Sequence, residues 1–411
     1  MEYRVGKLNY FGKMIKFLKN PCNVYITLLV FYSIQGVIIP TGGTVFSQLI
    51  LLVAMLMGLY YTVKTISLDS QPVYLKTLTL LFFTLVVYGV ILLFSNHHYV
   101  IEAKLFDNEV SNFSYLKNLF LSLPNVYTFY YFSRRGYLTE DALRKWVILF
   151  FGIAVFRYFD YQIASIQTML LSGRSDVEET TNNMGYLFVA LIPSVAIFKD
   201  KIRVQYCLLI FCMAFIMMAM KRGAIIIGIV SLIYFLYFNY KYNNNVSKGK
   251  VIVFSLLIIA AAYFLTEFMM NSSDYFISRI EQTKEGSSSG RDAIYEHFWN
   301  HFKNETDTFK YLFGNGANAT LDIGVIYAHN DWLEIAINQG VLGLIVYSIY
   351  WLGFCRTILS VKYNKTVKFV LTITFIAFFI KALFSMSYTE YSMITCTVFG
   401  YYLAHYKDVE I

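Results

Sequence analysis

A chain of 411 residues that is 57% hydrophobic, 18% aromatic and only 15% charged, with a mean hydropathy of +0.52, points to lipid as its main solvent. Soluble domains carry roughly 25% charged residues. The formal net charge of +8 resides in short loops between apolar runs and forms no basic stripe interleaved with aromatics, which argues against nucleic-acid binding.

In chain order, a basic tail with Arg4, Lys7, Lys13, Lys16 and Lys19 reads in part as an amphipathic helix on the membrane surface. The apolar run that follows from Cys22 is too long for a signal core, so no cleavable leader is expected. Runs long enough to span recur near 22–40, 44–63, 73–95, 113–132, 146–163, 183–198, 204–220, 223–240, 251–270, 332–355, 369–385 and 388–404. The predicted fold is therefore an all-α polytopic integral membrane protein with about 12 transmembrane helices and one large outward-facing loop containing short helices. Residues 1–270 hold helices 1 to 9, residues 271–331 the loop, and residues 332–411 helices 10 to 12 with a tail. The five cysteines, Cys22, Cys207, Cys212, Cys355 and Cys396, all lie in or beside apolar runs, so neither a disulfide framework nor a Cys-based zinc site is expected.

Orientation follows from the basic residues of the short loops. With a cytoplasmic tail, the same side holds Lys64, then Arg134, Arg135, Arg144 and Lys145, then Lys199, Lys201 and Arg203, then Lys241, Lys248 and Lys250, and finally Lys362, Lys365 and Lys368. The opposite loops are richer in acid, with Glu102, Asp107 and Glu109 in one and Asp176, Glu178 and Glu179 in another. Both termini are expected to be cytoplasmic. Lys221-Arg222 breaks the pattern by placing two cations at an outward turn; a bound ligand or a snorkelling pair would explain them.

The long polar stretch 271–331 is where chemistry is expected. Ser289-Gly290-Arg291-Asp292 reads as a helix start capped by Ser289. Ile294, Phe298 and Phe302 then mark one face, widened by Tyr295 and Trp299. Arg291 in the first turn stands at the positive end of the helix dipole, which favours a bound anion over a solvated charge. His297 and His301 have the spacing of a metal pair, but Phe298 replaces the Glu of a zinc protease, so packing is preferred and no metal is expected. His329 lies beside the helix start at Trp332, where positive charge favours neutral imidazole and phosphate would bind. Asp331 and Glu334 read as a capping box for that helix, and Asn330 is a further cap.

The run AHNDWLEIAINQGVLGLIVY, with GRDAIYEHFWNHF and LFGNG before it, resembles the signature of the O-antigen ligase and polymerase superfamily. Lys221-Arg222-Gly223-Ala224 is similar to that family's Ser-Arg-Gly turn, with Lys in place of Ser, and Thr181-Asn182-Asn183 to its Asn-rich approach to a span. The resemblance implies a glycosyltransferase of the bacterial inner membrane, using no cofactor and a glycan on undecaprenyl diphosphate as donor. It places the essential residues at Arg222, Arg291 and His329; Lys221, Arg174, Arg279 and Asn330 are expected beside them as substrate contacts. Arginines would hold the leaving diphosphate, and His329 would take the proton of the acceptor hydroxyl.

The acceptor separates two outcomes. A lipid-linked repeat unit makes a polymerase, with a chain-length regulator as a candidate partner; lipid A core or another acceptor makes a ligase. Polymerases of this type are associated with an Arg, ten residues and a Gly in each of two loops, and Arg174 with Gly185 and Arg279 with Gly290 have that spacing. With 23 Gly in the chain one match carries little, but two favour polymerase; Arg174 is equally well an ordinary loop cation. A transporter or flippase of a lipid-linked or anionic solute is the alternative from another class, and Arg157, Asp160 and Lys381 are its candidate intramembrane charges or the lining of a groove for the lipid diphosphate.

Overall fold

The computed structural model describes residues 15–38, 45–95, 99–102, 107–171, 182–242, 247–272, 290–324, 326–385 and 393–408, with the single positions 12, 277 and 281. Of the basic tail expected to lie in part as a surface helix, positions 12 and 15–20 are described, with residues 15–18 helical and exposed; the rest falls outside the described residues, as do Ser289, Arg174 and Arg279.

The chain folds as α1 (Pro21–Ile38), α2 (Val45–Ile66), α3 (Val73–Leu93), a hairpin of β1 (Tyr99–Glu102) and β2 (Asp107–Val110), α4 (Asn112–Arg134) and α5 (Glu140–Leu171). It continues with α6 (Gly185–Leu191), which tightens into a 3-10 segment Ile192–Phe198, then α7 (Ile202–Met218), α8 (Arg222–Tyr242) and α9 (Lys248–Ser272). The short helices α10 (Arg291–Lys303), α11 (Thr308–Phe313) and α12 (Thr320–Gly324) precede α13 (Asp331–Ser360), α14 (Lys365–Phe384) and α15 (Met393–Ala404).

Within the described residues, every apolar run predicted as a span coincides with helix. Among the described residues, 6 of these helices are long and apolar enough to cross a membrane, and 4 shorter apolar ones accompany them. The architecture is that of an all-α polytopic membrane protein apart from one addition. The acidic stretch with Glu102, Asp107 and Glu109, expected as a plain loop, forms an antiparallel hairpin with Tyr99 opposite Val110 and Glu102 opposite Asp107.

α4 is the hub. It packs against α2, α3 and α15, and Leu123, Val126, Tyr127, Phe129, Tyr130 and Phe132 on successive faces are all buried. Enclosure by protein explains why it carries more polar residues than a lipid-facing span would tolerate. Small residues permit the close crossings, as in other membrane bundles. At Gly400 of α15 a Cβ would stand 2.7 Å from the Phe129 side chain and 2.9 Å from the Tyr130 backbone nitrogen.

Both ends of the described chain reach one face of the bundle. Asn20 donates to the Tyr137 carbonyl at 2.9 Å, and Arg134 at the end of α4 donates to the Ala404 carbonyl at 3.4 Å. Arg144 joins the same face, pairing with Glu140 at 2.6 Å and Asp200 at 3.2 Å. The opposite face, called here the loop face, carries α10 to α12 and the first turns of α13.

α13 is broken. Gly340 has φ 66 and ψ −159, which interrupts the helix and strips the Ile337 and Asn338 carbonyls of their helical partners. The loop Gly314-Asn315-Gly316 supplies the missing donors: the Asn315 N–H bonds the Ile337 carbonyl at 2.9 Å and the Gly316 N–H bonds the Asn338 carbonyl at 3.0 Å. Gly314 and Gly340 touch backbone to backbone there, leaving no room for a Cβ on either. The LFGNG and NQG motifs are thus two halves of one junction.

Candidate active site

The loop-face ends of several helices wall a cavity of about 710 Å³. Ser114, Tyr115 and Asn118 come from α4, Tyr161 from α5, Tyr186 and Leu187 from α6, and Ala377, Phe378 and Lys381 from α14. Lys221 enters from the turn before α8, Arg291 from the first turn of α10, and Asn318, Tyr327 and His329 from the chain leading to α13. Cations and hydroxyls share the lining with the apolar side chains of Leu187, Val189, Ala190, Ile227, Ala377 and Phe378. The same space therefore offers contacts to an anion and to a hydrocarbon.

Arg291 reaches this place because Gly290, in the left-handed region at φ 77, is the cap that turns the chain into α10. Gly290 occupies the capping position expected of Ser289 and makes no side-chain bond. Phe298 and Phe302 are buried as the periodicity required, with Ile294 packed against their cluster. Trp299, expected to widen that face, is instead 52% exposed, and Tyr295 is turned to another use. Its hydroxyl donates to the His329 carbonyl at 3.0 Å and to the Leu383 carbonyl at 3.3 Å, tying α10 to the His329 turn and to the end of α14.

His329 is held by its surroundings in an uncommon backbone conformation, φ 51. Met220, next to Lys221, and Asn318 share it, at φ 50 and 63. These are the non-glycine residues with positive φ among those described, and each lines the cavity or adjoins a residue that does, as strained residues at functional sites do. Burial, then the charges of Arg291 and Lys221, hold the His329 imidazole below its ordinary value of 6.5, so that it is neutral at pH 7.

The expected Asp331 and Glu334 capping box is not what forms. Asn330 is the cap: its side-chain oxygen accepts from the N–H groups of Trp332 at 2.9 Å and Leu333 at 3.2 Å, and its amide nitrogen donates to the Leu383 carbonyl at 2.9 Å. Asn330, expected as a substrate contact, is engaged at both ends with the protein. Asp331 is buried and accepts from the Tyr347 hydroxyl at 2.9 Å. Glu334 is also buried and accepts from Thr320 at 2.6 Å, the Ala328 N–H at 2.9 Å and Asn338 at 3.0 Å, fixing the residue that precedes His329.

Of the other predicted residues, Lys221 is at the cavity wall, whereas Arg222 is the first residue of α8, half-buried and outside the lining. Arg174 and Arg279 lie outside the described residues. Both glycines of the Arg and Gly spacing have local reasons to be glycine. A Cβ on Gly185 would meet Ala219 at 2.8 Å, and Gly290 has its positive φ. Arg157 turns away to donate to the Ser33 carbonyl of α1 at 2.9 Å, so only Lys381 of the two intramembrane cations lines the cavity, with its ammonium 5.3 Å from the centre of the Tyr186 ring. Asn182 is structural, bonding the Tyr158 carbonyl at 3.1 Å and Gln162 at 3.2 Å, while Asn183 faces the cavity. Tyr186, Asn118 and Asn318 also line the cavity, and as lone polar residues they carry no spacing signal along the chain. His297 contacts the Ile323 carbonyl at 3.2 Å, and among the described residues no three His, Cys, Asp or Glu side chains converge as metal ligands would.

Fold and cavity together define a polytopic membrane protein with a cationic, partly apolar pocket at one end of its helix bundle. Residues 207–348, which hold Lys221, Arg222, Arg291 and His329, match the family model described as O-Antigen ligase. No curated protein matches the chain.

Proposed function

We propose that the protein transfers a glycan from undecaprenyl diphosphate to a lipid-linked repeat unit, as a polysaccharide polymerase, on the outer face of the bacterial inner membrane. The observation that carries this reading is the convergence of Lys221, Arg291 and His329 on one cavity whose mixed lining also includes apolar side chains. A polyprenyl diphosphate needs cations for its phosphates and hydrocarbon for its first isoprene units, and the lining holds side chains of both kinds.

In this reaction neutral His329 takes the proton of the acceptor hydroxyl as its oxygen attacks the anomeric carbon. The bond from that carbon to the phosphate oxygen breaks, and the polyprenyl diphosphate leaves with its charge stabilised by Arg291 and Lys221, with Arg222 beside them. In-line attack inverts the anomeric centre. The basic residues gathered on the face opposite the cavity support cytoplasmic termini and an outward loop face. The ligase description of the matching family keeps transfer to lipid A core as the second reading.

Complementation of a polymerase-null strain tests both. Wild-type protein is expected to restore a glycan ladder, and Arg291→Ala or His329→Ala to reduce it to a single repeat unit. If glycan on lipid A core is lost while polymer still accumulates on the lipid carrier, the ligase reading replaces the polymerase one.

A further inference from the structure

α11 is unusual for a helix in a polar loop. Phe309 is 67% exposed, and Tyr311, Leu312 and Phe313 are exposed beside it, so most of this short helix is uncovered apolar surface. Phe309 and Phe313 stack at 4.8 Å, and exposed Trp299 of α10 lies on the neighbouring helix. Such a patch has a partner in other proteins. Its height in the bundle says which. Residues 341–360 of α13, beyond the break, rise about 30 Å at 1.5 Å per residue, the thickness of a hydrocarbon core. The break at Gly340 therefore falls at the loop-face boundary of the hydrocarbon. α11 is locked at that level, since a Cβ on Gly340 would stand 2.6 Å from the Leu312 carbonyl and the Phe313 carbonyl accepts from Tyr88, about a turn from the end of α3. Deeper in the bundle, Leu342, Ile345 and Leu352 of α13 continue the exposed apolar surface, and Val87, Ile91 and Phe94 carry it along α3 through the level of Tyr88 to the end of that helix. Lys303 and Lys310 are exposed on the same pair of helices, suited to headgroup phosphates, and the Asp307 carboxylate, also exposed, is engaged as the cap of α11 by the N–H groups of Phe309 and Lys310.

We propose that α11 is an interfacial anchor whose Phe309 and Phe313 enter the loop-face leaflet of the lipid bilayer. The anchor has a mechanical consequence. α11 leads directly into Asn315 and Gly316, which bond the carbonyls at the break in α13, and the segment of α13 above the break follows His329 and its neighbour, the cap Asn330. The height of His329 above the lipid phosphates is thereby set by aromatic side chains sitting in the membrane. This rests on the reading of the helices as membrane spans, and not on the transferase chemistry.

The test uses the full chain, with exposed Cys207 and half-buried Cys355 replaced, in vesicles of phosphatidylethanolamine and phosphatidylglycerol. A nitroxide is attached at Phe309→Cys, Phe313→Cys, Asp322→Cys or Leu352→Cys, and its collisions with oxygen and with a water-soluble nickel chelate are measured. Positions 309 and 313 are expected to favour oxygen over nickel, shallower than 352, while 322 favours nickel. Nickel access at 309 and 313 equal to that at 322 overturns the anchor. Protection from both reagents there overturns it too and indicates a protein partner. Nickel access at 352 would instead sink the membrane reading on which the anchor rests.

Discussion

His329 carries the sharpest consequence at the scale of single residues. Its imidazole is depressed by burial and by the Arg291 and Lys221 charges, so the neutral form, the one able to accept a proton, persists below pH 6.5. The transfer rate should then stay level through neutral pH and fall only as acid protonates the ring. Removing a neighbouring cation raises that value. In Arg291→Gln the acid limb of the rate at saturating donor should move to higher pH, in addition to any loss of donor binding. A limb that stays in place would mean that His329 is not the group titrating. The residues around it have distinct duties. Tyr295 holds the His329 carbonyl, Asn330 caps the following helix, and Glu334 secures Ala328, so the imidazole projects from a turn fixed on three sides.

At the scale of elements the decisive feature is the broken α13. Backbone polar groups freed inside a membrane protein must be satisfied by protein or by a water-filled cavity. Here the glycine-rich loop after α11 does it. Gly340→Ala would combine the penalty of a backbone conformation that essentially only glycine adopts, about 1–3 kcal/mol, with a collision against the Leu312 backbone. Gly290→Ala pays the penalty of a left-handed backbone alone, since nothing lies within 4 Å of its Cβ direction. Thermal unfolding in detergent should therefore show a clearly larger loss for the substitution at 340, and equal losses would contradict the junction described here. Cap identities were less legible than the helices themselves. The alternation of apolar residues marks where a helix runs, but Asn330, Asp331 and Glu334 are all acceptable capping residues, and tertiary packing decided which of them caps.

On the scale of the whole molecule, the helix ends sort the charges. Arg134, Arg144, Lys199, Lys241 and Lys365 lie towards the face that both described chain ends share, and the cavity lies at the other. With cytoplasmic termini, a membrane-impermeant thiol reagent added to intact spheroplasts should label Lys310→Cys and leave Lys145→Cys unlabelled until the membrane is permeabilised. The reverse pattern would put the cavity on the cytoplasmic side and remove the proposed reaction from the outer leaflet. Sequence alone determined the class, the span positions, the polar segment and the pairing of Arg291 with His329, because lipid solvation leaves a long-range composition signal and the motif order a local one. Only the tertiary structure decided that Lys221 rather than Arg222 faces the cavity, that Lys381 and Tyr186 join it, and that LFGNG repairs a broken helix. Those outcomes depend on which way a side chain turns and on which carbonyls a distant glycine leaves bare, and neither is written in the spacing of residues along the chain.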